Sequence, residues 1–351
     1  MNLQYADKGL IGLANLGNTC FLNTVVQCLS HTYELNDFLN KKEYRKKLNP
    51  VPETILLIEW DKLRELIWSG ENDNSNFIVP RSFTSNVRDV AKIKKRDLFT
   101  GFAQNDAPEF LYFLINSFHE AIKRQVTIKI VGDVETPTDG LALKCFEMFQ
   151  KIYSEEYSEL LDVFYGIHIS RITDTQNKVL SEMCEPYFSL SLQIPGDTRR
   201  PDLMDCFEAF TKSEILDGDN KYQLENEPGK KVVARKELKF WSFPAVLVID
   251  LKRFANDMRK NNAYVSFPMV LDVRKYVIGY NKETYVYDLY AVCNHSGSLL
   301  GGHYTACIKN ANGKWYHFND TSVTPIRDIT RMQTNKAYCL FYRKKKSELN
   351  I

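Results

Sequence analysis

The chain has 351 residues, 44% of them apolar and 26% charged, with a formal net charge of +2. That composition suits one large globular domain or two to three small ones, and the near-neutral balance argues against a nucleic-acid polyanion as partner. No stretch approaches the roughly 18 uncharged apolar residues of a membrane helix, and residues 1–10 lack the apolar core of a secretory signal.

A cytoplasmic or nuclear setting is therefore expected, with the eight cysteines as free thiols. No Cys-x-x-Cys pair occurs, so zinc has no obvious cysteine ligand set. The basic runs at 41–47, 92–96 and 343–346 are short and read as solvated surface.

Taken in chain order, Phe21, Leu22, Val25, Val26 and Leu29 recur at helical spacing and predict a helix starting at or near Cys20. Residues 55–67 repeat the pattern. Over 107–118, Phe110, Leu111, Leu114 and Phe118 make one stripe. Polar stretches at 39–51 and 72–76 read as loops. Residues 141–166 read as helix, after which IHISRI (167–172) and PYFSLSLQI (186–194) alternate as strands. A helix is expected over 201–216 with Asp202 near its N-cap, followed by a turn-rich connector over 217–231. From Phe243 the chain is mostly strands, and the apolar, β-branched PAVLVIDLKRF (244–254) reads as buried. A helical first third and a β-rich last third predict an α+β fold with segregated elements.

The junction at Cys20 has a chemical reading. A helix N-terminus carries partial positive charge and unpaired N–H groups, which favour thiolate over thiol and predict a depressed pKa. The preceding loop, Asn15-Leu16-Gly17-Asn18-Thr19, holds two amide side chains able to donate to an oxyanion. An ordinary buried cysteine at a loop-to-helix junction is the plain alternative.

A thiolate nucleophile needs a base, and the base an orienting partner. Of six histidines, His31 ends the first helix, His119 lies in a charged helix and His168 in an alternating strand, positions that suit structural or solvated roles. His295 and His303 flank the glycine-rich SGSLLGG, and His317 lies on the next strand. GGHYTACIKN and KWYHFND are joined by Ala311-Asn312-Gly313, and a three-residue hairpin loop favours glycine in the left-handed position. Asn310 then pairs with Lys314, and Thr305 lies opposite Asn319. His303 shares a face with Asn319 on the diagonal, about 7–8 Å away between backbones. Tyr304, Ala306, Ile308, Tyr316 and Phe318 form the other, apolar face, together with Asp320. A two-residue turn would reverse the assignment, so Asn319 is the expected orienter of His303 and Asp320 the close second.

With these residues assembled, GLANLGNTCFLNTVVQCL resembles the cysteine box of the ubiquitin-specific proteases, the papain-like deubiquitinases. NHSGSLLGGHYTACIKNANGKWYHFNDTSV resembles their histidine box, QNDAPEFLYFLI the segment between the boxes, and PAVLVIDLKRF the strand before the histidine box. The resemblance spans almost the whole chain and implies a papain-like cysteine protease with thumb, fingers and palm. It divides a single catalytic domain, 1–351, into a helical thumb (1–125), a helical connection (126–165), β-rich fingers and adjoining palm (166–240), and a β-rich palm with the histidine box (241–351). It implies Cys20 as nucleophile, His303 as base, Asn319 as third member and Asn15 as oxyanion donor. Gln104, Asp106 and Glu109 match residues near the ubiquitin tail, the two acids holding its arginines. Acids at a helix N-terminus also have a routine explanation. Phe254, His295, Gly302 and Tyr304 match the tail channel, and 296–302 a mobile loop over it.

The resemblance departs at zinc. Many members bind it in the fingers with two Cys-x-x-Cys pairs, whose positions here are Asp174, Asn177, Leu224 and Glu227. No cofactor or metal is expected, and the fingers should be the least stable part. The expected partners are ubiquitin, ubiquitinated proteins and adaptor proteins, with the enzyme itself a monomer. Two alternatives compete: a non-catalytic or weakly active ubiquitin-binding module, and an enzyme of the same chemistry acting on another ubiquitin-like modifier.

Overall fold

Helix α1 (Cys20–Ser30) has apolar residues on most of its surface, and all 11 of its residues are buried. Its polar side chains hold the strand of chain that leads into it. Asn23 donates to the carbonyls of Leu13 and Ala14, and Gln27 donates to that of Ile11 at 2.8 Å. The computed structural model describes residues 3–69, 77–196, 198–254, 259–298 and 301–346.

Around α1 stand α2 (Tyr33–Asn40), α3 (Glu53–Ser69), α4 (Arg81–Ile93) and α5 (Ala107–Ile122). Short strands β1 (Gly12–Leu13) and β2 (Phe77–Ile78) pair in parallel beside them. The stripe Phe110, Leu111, Leu114 and Phe118 is buried as expected. The loop expected over 39–51 is interrupted by a 3-10 turn at Glu43–Lys47, which buries Tyr44. Tyr44 donates to the buried Asp61 carboxylate, a contact across 17 residues that local polarity does not encode. The loop expected at 72–76 lies outside the described residues.

Helix α6 (Pro137–Tyr153) starts with a Thr136–Asp139 capping box and is followed by α7 (Glu159–Phe164). Next comes an antiparallel sheet in the order β4-β3-β9-β6: β3 (Gly166–Asp174), β4 (Val179–Tyr187), β6 (Glu214–Leu216) and β9 (Ala234–Ser242). Strand β5 (Ser189–Gln193) instead joins the larger sheet below. Asp202 caps α8 (Leu203–Thr211), again through a capping box, with Asp205. The helix expected to reach residue 216 stops at Thr211, because Glu214–Leu216 pairs with β9 as β6. The connector over 217–231 includes β7 (Tyr222–Gln223), which pairs with β8 (Lys231–Val232).

The large sheet runs β15-β14-β13-β12-β16-β10-β5, with β11 paired to β12. Its members are β10 (Val246–Lys252), β11 (Val270–Asp272), β12 (Val286–Ser298), β13 (Gly301–Lys309), β14 (Trp315–Asn319), β15 (Ser322–Ile326) and β16 (Ala337–Lys344). Strand β10 is apolar from Val246 to Ile249 and again at Leu251 because both of its faces are covered. Val246 and Val248 pack in the core shared with the helices, while Leu247, Ile249 and Leu251 pack in a second core with α8. The α+β expectation holds.

Two joints bring the helical part onto this sheet at the β14–β15 turn. The Leu13 N–H donates to the Asp320 carbonyl at 2.8 Å. Beside it the Gly12 backbone crosses Thr321 so closely that a Cβ there would lie 2.2 Å from the Thr321 carbonyl oxygen. Gly12→Ala should therefore push loop and turn apart and cost about 2–3 kcal/mol, read as a lower urea midpoint at unchanged slope.

Candidate active site

Cys20 is the first residue of α1, as the sequence predicts, and is 1% exposed. The loop before it is held by Asn15. The Asn15 side-chain carbonyl accepts the N–H groups of Gly17 and Thr19, each at 3.1 Å. Its amide donates to Asp320 Oδ2 at 3.0 Å, leaving one N–H over. The Asn18 amide turns the other way and donates to the Phe102 carbonyl.

The hairpin register is the one set by a three-residue turn. Ala306 pairs with Phe318 and Lys309 with Trp315, the Asn310 N–H donates to the Lys314 carbonyl, and Gly313 has φ +82°. Continuing that register sets Thr305 opposite Asn319. Across the diagonal, His303 Nε2–H donates to Asn319 Oδ1 at 2.7 Å. That bond leaves His303 Nδ1 as the ring's proton acceptor. Among the described residues this is the one side-chain hydrogen bond of His303, and none joins it to Cys20. An open groove of about 800 Å³ passes His303, Asn319, Thr305 and His317.

Among the described residues Asp320 makes no hydrogen bond to His303. Its carboxylate accepts from Asn15 and, at 2.8 Å, from Asn23. Asp320 lies in the left-handed region at φ +47°, a turn conformation that redirects the chain after β14. Its contacts are with the loop before Cys20 and with Asn23 on α1, so the orienting contact to His303 belongs to Asn319.

The expectation of a depressed Cys20 pKa is corrected. Burial pushes the Cys20 thiol up from its ordinary value, and the charge of Asp320 adds to the rise. The backbone N–H of Tyr304 and those at the start of α1 oppose this without overcoming it. These helix-start donors are outweighed by the water Cys20 loses as α1 packs against β13.

Asp106 is the N-cap of α5. It accepts the Glu109 N–H at 3.1 Å, and the Tyr338 hydroxyl donates to it at 2.6 Å. Burial raises its pKa, and these two donors hold the rise back. Glu109 is exposed, and partial desolvation with the neighbouring Asp106 charge raises it too. Gln104 clamps Gly302: its amide donates to the Gly302 carbonyl and its carbonyl accepts the Gly302 N–H at 2.6 Å.

A Cβ on Gly302 would sit 2.4 Å from both His295 Nε2 and the Ser296 carbonyl, so no side chain fits. His295 is 2% exposed, with its ring centroid 4.6 Å from that of Tyr304 and 5.4 Å from that of Phe254. Burial, reinforced by the charge of Lys260, pushes its pKa down to about 4 and keeps it neutral. The mobile loop expected over 296–302 is largely hairpin: β12 runs to Ser298 and β13 begins at Gly301. Leu299 and Leu300 lie outside the described residues.

Sequence reasoning missed Tyr338, Asn23 and Lys260. Asn23 left a signal, an amide inside an apolar helix. Tyr338 and Lys260 left none, because their partners, Asp106 and the His295 carbonyl, are distant in sequence.

The chain matches the model of the family described as ubiquitin carboxyl-terminal hydrolase over residues 11–342. It belongs to the ubiquitin carboxyl-terminal hydrolase family. It is 38% identical over 356 residues to Ubiquitin carboxyl-terminal hydrolase 2 of Homo sapiens, covering 97% of this chain and 56% of that protein. To Ubiquitin carboxyl-terminal hydrolase Usp2 of Drosophila melanogaster it is 32% identical, covering 96% of this chain and 35% of that one. The chain thus spans about half or less of these relatives' length. The SAGA Ubp8/Sgf11/Sus1/Sgf73 DUB module bound to ubiquitin aldehyde is similar with a TM-score of 0.74 at 25% identity, over 98% of this chain and 71% of that one.

The zinc positions carried over from other members of this hydrolase family do not fit a metal here. The Asp174 carboxylate accepts the N–H groups of Gln176 and Lys178, and Leu224 has no donor atom in its side chain. Among the described residues no three His, Cys, Asp or Glu side chains cluster to hold a metal ion.

The raised Cys20 pKa predicts that iodoacetamide modifies Cys20 with a pH midpoint above the ordinary thiol range. Asp320→Asn removes a repelling charge, so alkylation at pH 8 should quicken. The same change leaves one acceptor oxygen for two donors, Asn15 and Asn23, so any Cys20-dependent turnover should slow. Opposite movements of the two rates are the expected result.

Proposed function

We propose that the chain is a cysteine-type deubiquitinase that hydrolyses the isopeptide or peptide bond after the C-terminal glycine of ubiquitin. The observation that carries this reading is the meeting of Cys20, at the start of α1, with β13, whose His303 is hydrogen-bonded to Asn319 on β14. Membership of the hydrolase family supports it, as does the ubiquitin aldehyde bound to the structural neighbour.

His303 Nδ1 takes the Cys20 proton as the sulfur attacks the carbonyl, which offsets the cost of a buried thiolate. The remaining Asn15 N–H and the backbone N–H of Cys20 stabilise the oxyanion. His303 then protonates the leaving lysine amine, and water releases the acyl-enzyme. Asn319 holds the His303 ring and tautomer, while Asp320 positions Asn15. A Gly-Gly tail suits a channel walled by His295, Tyr304 and Phe254 and narrowed by Gly302, because bulkier peptides are excluded. Glu109, exposed and free of a side-chain hydrogen bond among the described residues, is the readier acid for an arginine upstream of the tail. Asp106 is already engaged by Tyr338 and the helix N-terminus.

In this reading residues 1–125 act as thumb, 126–165 as connection, 166–240 as fingers with adjoining palm, and 241–351 as palm. The neighbour is solved together with Sgf11, Sus1 and Sgf73, which supports adaptor proteins as partners. The catalytic unit is taken as a monomer working in the cytoplasm or nucleus.

A propargyl-ubiquitin probe should form one adduct, at Cys20, lost in Cys20→Ala. No adduct, or one that survives the substitution, would sink the proposal. On a ubiquitin–fluorophore substrate, Asn15→Ala should lower kcat about 10²- to 10³-fold. Glu109→Gln should raise KM about tenfold with kcat little changed, the pattern of a ground-state charge contact.

A further inference from the structure

Helix α6 braces the smaller sheet at β4, an edge strand with one sheet neighbour. Leu141 and Cys145 on α6 pack with Ile169 and Trp241, and Cys184 closes this cluster from β4, where it pairs with Ile169. Cys145 is fully buried and Cys184 partly exposed. Cys145 Sγ–H donates to Cys184 Sγ at 3.3 Å, across a separation of 39 residues. Among the described residues no other two thiols are joined by a hydrogen bond. A disulfide holds its sulfurs about 2.05 Å apart, so closure needs an approach of about 1.2 Å, within reach of side-chain rotation.

We propose that Cys145 and Cys184 form an oxidative modification site, at which hydrogen peroxide converts the two thiols into a disulfide tying α6 to β4. The geometry assigns the roles. Cys184, partly exposed, is the sulfur a peroxide reaches. The Cys145 hydrogen bond, then the Lys144 charge, lower its pKa, although burial and Glu182 oppose them. Lys144 and Arg171 both engage Glu182, at 2.8 and 2.7 Å, which tempers that repulsion. The Cys184 thiolate attacks the peroxide O–O bond, forms a sulfenic acid and releases hydroxide. Cys145 sulfur then attacks the Cys184 sulfur. The S–O bond breaks, the hydroxyl leaves with the Cys145 proton as water, and the S–S bond forms. Two thiols have lost two electrons, and one peroxide has been reduced to two waters. The cross-link pins an edge strand that otherwise depends on one neighbour strand and its packing on α6.

This inference stands apart from the proposed hydrolysis, because neither cysteine belongs to the catalytic arrangement. The test uses the full chain with Cys20→Ser, so that peroxide cannot act at position 20. After brief treatment with hydrogen peroxide and capping of remaining thiols with N-ethylmaleimide, peptides are mapped without reduction. The expected product is a 145–184 cross-linked peptide, reversed by dithiothreitol and absent in Cys184→Ser. In hydrogen exchange, β4 amides should exchange at least threefold more slowly in the oxidised chain, and Cys184→Ser should abolish that difference. Cys145→Ala serves as a second control with no buried hydroxyl. Cys184 recovered as sulfinic acid with Cys145 still capped by maleimide would overturn the proposal. So would a cross-link at a different pair, or no oxidation at either residue.

Discussion

The site depends on one joint, where the chain leading into α1 meets the turn after β14. The Leu13 N–H, the Asn15 amide and the Asn23 amide all end on Asp320, the first on its carbonyl and the others on its carboxylate. One residue thus couples the loop that precedes Cys20 to the strand that carries Asn319. Gly12 makes the approach possible, since any side chain there would strike the Thr321 backbone. The carboxylate that fastens the joint also raises the Cys20 pKa, so the position that builds the site disfavours a resting thiolate.

Burial governs the neighbouring groups in the same way. His295 is neutral inside an aromatic cluster, and Asp106 is held by Tyr338 and a helix N-terminus. Both read from sequence as ligand-facing residues, and both also have structural work. The clamp of Gln104 on Gly302 links the helical part to the β12–β13 hairpin from the other side. Helices and sheet are therefore fastened at two places, by Asp320 and by Gln104.

Much of this was legible in the chain. The start of α1 at Cys20, the cap at Asp202 and the three-residue turn at 311–313 rest on short-range rules of capping, periodicity and turn length, which hold whatever the rest of the molecule does. The hairpin register then yields the His303–Asn319 diagonal, because a β-strand alternates faces with a fixed period. The helix expected beyond Thr211 failed for a converse reason: β9 offers hydrogen bonds that local propensity cannot see.

By itself the sequence determined the α+β order, the identity of nucleophile, base and orienter candidates, and the absence of zinc-type cysteine pairs. Only the tertiary structure decided that Asp320 turns to Asn15 and Asn23, that Cys20 is raised and not depressed, and that Cys145 meets Cys184. These outcomes depend on desolvation and on contacts between residues tens to hundreds of positions apart. Local periodicity fixes which way a side chain points along its own element, whereas the water it loses and the partner it finds are set by how the elements pack.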